Sequence, residues 1–220
     1  MTLPNQPTVL LAALFLAACA SSPRVQTGPD ARVNAQGLHF VDNTDMSEAW
    51  FRPDADLTQY NKLMIVSAGT HFVDAEAASD KQRQRYERFE EIMIEEFTLA
   101  LRELRGFEIT DTPGPGVLLL HGAVVNVTLE ENNPGPRERV FVNELGSADL
   151  VIDLRDSVTG QEIVAARDNG VLESAGGRMT ELSDAATSAA ARRLAKGWAT
   201  LLRDRLDTLA GYRLGSADSR

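Results

Sequence analysis

Two stretches of the chain repeat apolar residues every three or four positions. Over residues 80–105, Phe89, Met93, Phe97, Leu101 and Leu104 fall on one stripe, which predicts an amphipathic helix. Ser79 or Asp80 can cap its start, and Gly106 stands where a terminating glycine belongs. Over residues 180–209, Ala186, Ala190, Leu194, Trp198, Leu201, Leu206 and Leu209 track one side of a second long helix. Its first half is rich in alanine, which permits a close approach to a sheet.

Between and before these helices the period changes to that of strands. Leu63-Met64-Ile65-Val66 is a continuous apolar run, which predicts a strand over residues 62–70, covered on both faces or central in a sheet and ended by Gly69. Residues 107–110 predict a short strand. Residues 117–130 predict a long one. Val117, Leu119, His121, Ala123, Val125 and Val127 share one face of it, Leu118, Leu120, Val124 and Asn126 share the other, and Gly122 marks a bend or bulge. Over residues 147–155, Ala148, Leu150, Ile152 and Leu154 face a core while Asp149, Asp153 and Arg155 face water. Asp156-Ser157-Val158-Thr159-Gly160 is a hairpin loop leading to a partner strand over residues 161–168, and residues 169–179 read as a glycine-bearing loop. Val140 to Leu145 could extend either neighbouring strand. The order predicts an α+β domain, a mixed or antiparallel sheet with two long helices packed on one face, over residues 38–211.

The N-terminus follows another logic. An apolar run over residues 9–18 closes on Leu16-Ala17-Ala18-Cys19, whose Cys is the one cysteine of the chain. The run is far shorter than the roughly 20 residues that span a bilayer and has the size of a signal-peptide core. Residues 1–18 therefore read as a lipoprotein signal peptide, cleaved between Ala18 and Cys19, with lipid such as palmitate on the Cys19 sulfur. Residues 1–8 hold no Lys or Arg, which departs from the usual signal. An ordinary signal peptide, or a buried N-terminal helix with an incidental Cys, is the alternative. Residues 19–37, with Ser21-Ser22-Pro23 and Gly28-Pro29 and no apolar period, read as a lipidated flexible tether. Residues 212–220 read as a disordered tail.

Composition bounds the partners. The formal net charge is −10, which argues against nucleic acid and against docking on anionic lipid by charge. The membrane partner is expected through lipid on Cys19. Ala20, not Asp, follows the Cys, which by resemblance to proteobacterial lipoproteins implies the periplasmic face of the outer membrane.

Candidate chemistry is sparse. His39, His71 and His121 lie far apart without ligand spacing, although Asp74 and Glu76 lie near His71. The pairs Asp54 with Asp56 and Asp149 with Asp153 would need a cleft to do acid–base work. Asn126-Val127-Thr128 matches a glycosylation sequon that a bacterial export route would leave unmodified. Trp50-Phe51 is expected to pack on the domain body, with a ligand-binding aromatic patch as the alternative. No catalytic, metal or cofactor residue is assigned.

Ala49-Trp50-Phe51-Arg52-Pro53-Asp54-Ala55-Asp56-Leu57-Thr58-Gln59-Tyr60 before the first strand, and residues 148–168 around Asp156-Ser157-Val158-Thr159-Gly160, carry a resemblance. With the Leu-Ala-Ala-Cys motif they resemble a family of proteobacterial lipoproteins called domain of unknown function 3313, over residues 38–209. The resemblance implies an envelope lipoprotein, assigns no activity, and carries over no residue role beyond Cys19. The leading expectation is a non-enzymatic module that binds an envelope protein in transport or assembly. A carrier of a small or lipidic ligand in a groove near Trp50-Phe51 is the second, and an envelope hydrolase the third. Oligomeric state stays open.

Overall fold

The computed structural model describes residues 23–131 and 139–217. Residues 1–18, expected to be a signal peptide, with Ala18 as its cleavage site, and Cys19, the expected lipidation site, lie outside the described residues. An eight-stranded mixed sheet carries two helices on one face. In chain order the elements are β1 (Arg24–Val25), β2 (His39–Asp42), β3 (Glu48–Phe51), β4 (Lys62–Phe72), α1 (Asp80–Arg102), β5 (Glu108–Ile109), β6 (Val117–Leu129), β7 (Phe141–Val142), β8 (Glu144–Asp156), β9 (Glu162–Glu173), β10 (Thr180–Glu181) and α2 (Asp184–Ala217). The large sheet runs β1-β2-β3-β9-β8-β6-β4-β5, and β7 pairs with β10 apart from it. Pairing is antiparallel except around β4, which runs parallel to β5 and β6. That follows from connectivity: α1 carries the chain across from β4, whereas β8 and β9 join by a tight turn.

The α+β class with two helices on one face is as the periodicity indicates. The helix face of the sheet is built by Leu118 and Leu120 of β6 and by Ala148, Leu150, Ile152 and Leu154 of β8, all buried. They oppose Phe89, Ile92 and Met93 of α1 and Ala190, Ala195, Trp198 and Leu206 of α2. A capping box starts α1: the Ser79 hydroxyl accepts from the Gln82 N–H, and the Gln82 side chain accepts from the Ser79 N–H at 2.8 Å. Phe72 at the end of β4 stacks on Tyr86 of α1, ring centroids 4.0 Å apart. The helices are tied to each other by Arg192 with Glu95 and Glu96, by Arg203 with Glu103, and by Asp207, which accepts from the Arg105 and Gly106 N–H groups.

Several sequence expectations are corrected. Arg24 and Val25, expected within the flexible tether over 19–37, pair with Asp42 and Val41 as the outermost strand, and Val33 bridges to His39. A two-residue strand takes its order from its partner, so it has no period of its own to reveal it. Gly69 does not end β4; with φ of +83° it sits at a register shift between Ser67 and Thr70, and the strand continues to Phe72. Nor is β4 covered on both faces, since Ile65 is 38% exposed, and it is central in the sheet only at Lys62 and Leu63, where β5 pairs with it on the side away from β6. In β6 the irregularity is at Asn126, φ +53°, not at Gly122; the shift turns Val127 into the core, away from the face that alternation gives it. Strand β9 runs through Glu173 into the expected loop. Helix α2 starts at Asp184 and continues through Ala217, beyond the expected start of the tail. Gly106 is not a helix cap. A Cβ there would lie 2.2 Å from that of Ala210, so it lets the end of the α1 segment touch α2.

Candidate binding site between sheet and helices

The sequence candidates for chemistry are dispersed. His39 is on β2, where its Nδ1 lies 2.7 Å from the Gln26 carbonyl oxygen. Four strands separate it from β4, at whose exposed end the His71 Nε2 lies 3.2 Å from the Ala68 carbonyl. Asp56 accepts from the Thr58 N–H and hydroxyl, which closes a turn, and Asp54 is exposed. Among the described residues no three His, Cys, Asp or Glu side chains gather as a metal would require.

The structure does bring some of them into contact on the sheet face opposite the helices. His121 and Asp153 are cross-strand partners, Nδ1 to Oδ1 3.2 Å, and Arg155 bonds the same Asp153 oxygen at 2.5 Å. Asp149, expected in water, is only 9% exposed. Burial alone would raise its pKa, but hydrogen bonds from the Asn126 amide, the Arg167 guanidinium and the Asn169 amide outweigh it and hold the carboxyl below its usual range. Each acid here is matched by a donor. Such a network fixes the strands to one another. Trp50 lies on this face too, edge-on to Phe40 with centroids 5.1 Å apart, and the Arg32 guanidinium caps Phe40 at 3.9 Å.

The helix face is different. The layer between sheet and helices opens into two apolar hollows. One, about 480 Å³, lies between α1 and the outer part of the sheet, walled by Ile65 of β4, Phe97 and Leu101 of α1, and Ile109. The other, about 490 Å³, lies beneath the second half of α2, over β3, β8 and β9, with Phe51, Val164 and Ala166 in its floor. Leu150, Ile152 and Leu202 line both, so the hollows abut under α2. Each has the size of a small-molecule site.

Local packing creates this opening. At residue 170 a glycine lets α2 lie hard on β9, and the Trp198 indole N–H donates to Asp168 at 2.8 Å. Asp168 also accepts from the Ser47 N–H and hydroxyl, which pins the β2–β3 turn to the same point. Small side chains (Ala49 and Ala166) floor the sheet beyond that pin, and the layer is left unfilled. Trp50-Phe51 pointed to the region, but only Phe51 packs towards the core cluster. The hollows draw on several elements, and no local sequence signal could assemble them.

A family profile described as "Protein of unknown function (DUF3313)" matches residues 36–202. The chain belongs to the DUF3313 family. The match covers both hollows' floor strands and all of α1. No curated protein matches the chain. Among solved structures, similarity is found to a presumed lipoprotein from Caulobacter crescentus CB15, 17% identical, covering 73% of this chain and 93% of that one at a TM-score of 0.34. A PelC dodecamer from Paraburkholderia phytofirmans is 12% identical, covering 69% and 91%, with a TM-score of 0.34. A presumed neuraminyllactose-binding hemagglutinin homolog from Helicobacter pylori is 12% identical, covering 76% and 96%, with a TM-score of 0.40. Likenesses at these scores say nothing about function. No helix among the described residues is long and apolar enough to cross a membrane.

Proposed function

We propose that this DUF3313 protein is a non-enzymatic envelope module, anchored by lipid on Cys19 at the periplasmic face of the outer membrane, that holds an apolar chain between its sheet and its helices. The anchor rests on the Leu16-Ala17-Ala18-Cys19 motif. The observation that carries the binding reading is the pair of abutting apolar hollows sharing Leu150, Ile152 and Leu202. Burying a methylene contributes about 0.8 kcal/mol, so a chain laid along both hollows gains substantially even with few polar contacts. Titration of the full chain with the fluorescent fatty acid cis-parinarate tests it. Saturable enhancement, displaced by stearate and weakened by Leu202→Asp, supports the reading. Non-saturating enhancement that Leu202→Asp leaves unchanged removes it.

A second reading, a partner protein docked on the domain, is favoured by the edge of the sheet. Beyond Leu63 the outer side of β4 has no neighbouring strand among the described residues, and it borders the hollow walled by Ile65. An unpaired edge beside an apolar groove suits an extended peptide that adds a strand. Recovery of one specific envelope protein with the wild type but not with an Ile65→Lys form distinguishes this from the ligand reading.

A further inference from the structure

The hollow beneath the second half of α2 has a wall that begins where the described chain begins. Pro23 and Val25 line it, with Val41 beside them. Cys19 lies four residues before Pro23. Four extended residues reach at most about 14 Å. Whatever is attached to the Cys19 sulfur is therefore held close to this opening. A group on so short a connection competes with free ligands at an effective concentration on the order of millimolar.

The chemistry of the opening narrows the occupant further. Among the lining residues the one charged side chain is Arg205, and its guanidinium is already bound by Asp45. Thr44 and Thr208 supply the other polar contacts. A free fatty acid entering there leaves its carboxylate at the mouth, in water. An ester-linked acyl chain brings no carboxylate and can lie along the apolar lining throughout.

We infer that one ester-linked acyl chain carried on Cys19 folds back into the hollow lined by Pro23, Val25 and the second half of α2. This rests on lipidation of Cys19 and on the apolar-ligand reading above. The chain then has two roles. Its remaining acyl groups hold the membrane, and the inserted one holds β1 and the end of α2 together, so the domain sits close to the bilayer instead of standing off on a tether. An anchor that gives up one chain also stays nearer the threshold between stable and reversible membrane binding, because a single chain anchors only marginally and two suffice.

The test uses the full chain purified in detergent from membranes, in a Trp50→Phe background that leaves Trp198, which lines the hollow, as the sole tryptophan. The lipid on Cys19 is verified by mass spectrometry. Quenching of Trp198 by added 9,10-dibromostearate is then measured before and after ester-linked chains are removed with a lipase. Little quenching before removal, rising at least twofold after it, is the expected result. Equal and strong quenching in both states overturns the inference but leaves the hollow as a site for free acyl chains. No quenching in either state overturns the inference and the apolar-ligand reading together. An unmodified Cys19 overturns the inference and the anchor, while quenching of that unmodified form still supports ligand binding.

Discussion

Gly170 lies directly beneath Trp198: a Cβ added to Gly170 would come within 2.5 Å of the indole Cζ2 and 2.6 Å of Leu194 Cδ1. This contact sets the height of α2 above the sheet. Both neighbours are rigid in their surroundings. Trp198 is 4% exposed and tied to Asp168, and Leu194 packs against the core cluster. Gly170→Ala must therefore lift the helix or rotate the ring, and overpacking of this kind costs about 1–3 kcal/mol. Urea unfolding of the variant should show a lower midpoint at unchanged slope, with a red-shifted Trp198 emission in the native baseline. A midpoint equal to the wild type's would mean that α2 is not seated on β9 as described.

The acid side of the stability profile should depend on Asp149. Its carboxyl is held below the unfolded value by Asn126, Arg167 and Asn169 acting against burial. A depressed folded pKa contributes stability that is fully present above the unfolded value, about 3.9, and is lost as pH falls through the folded value. Asp149→Asn removes the charge and turns an amide N–H donor towards donors, so it should cost about 1–3 kcal/mol at pH 7. The variant should also lose part of the wild type's decline below about pH 4. Parallel curves for the two proteins from pH 7 to pH 2 would show that the network does not bind a carboxylate.

Tyr60 should govern the alkaline side. Its phenol is pushed up to about 12 by burial and by the Asp156 carboxylate that accepts its hydrogen bond at 3.0 Å. The unfolded chain ionises near 10 while the folded chain keeps its proton, so the stability this group contributes is present below about pH 10 and lost as pH rises to about 12. Tyr60→Phe should flatten that fall. It should cost about 1 kcal/mol at neutral pH, because Asp156 keeps its bonds from the Val158 and Thr159 N–H groups. Unfolding monitored by circular dichroism at pH 8, 10 and 11.5 separates the two effects.

What the sequence discloses is what strict periodicity governs. Alternation placed Ala148, Leu150, Ile152 and Leu154 on the core face, the 3.6 period placed Phe89 and Met93, and the Asp156–Gly160 stretch marked the hairpin between β8 and β9. Periodicity fails where one residue breaks it. Asn126 at positive φ turns Val127 inward, and Gly69 at positive φ carries β4 past the point where a glycine ought to stop it. It is silent where order is borrowed, as for Arg24 and Val25, whose strand partner among the described residues is β2. The hollows were hinted at by Trp50-Phe51, but their depth depends on Gly170 setting the helix height and on Ala49 and Ala166 leaving the floor low. Those are relations across elements distant in sequence, and no local pattern encodes them.

The exposed side of β4 leads to the last expectation. Edge strands usually carry Lys, Pro or a bulge that blocks pairing with another chain. The segment Ile65-Val66-Ser67 carries neither Lys nor Pro, and the shift at Gly69 twists the strand only beyond it. Ile65 is 38% exposed, with Ile109 49% exposed on the two-residue β5 beside it. Ile65→Lys should lower monomer stability by about 1 kcal/mol, because Ile65 is 38% exposed and a lysine there can carry its ammonium out to water while its stem keeps part of the cover. The same change places a charge at the mouth of the α1 hollow and on the open edge. If an extended peptide pairs there, the variant should release its envelope partner while keeping its melting temperature within a few degrees. If the partner is retained at wild-type levels, the docking surface lies elsewhere, and the open edge is tolerated because the shift at Gly69 interrupts it.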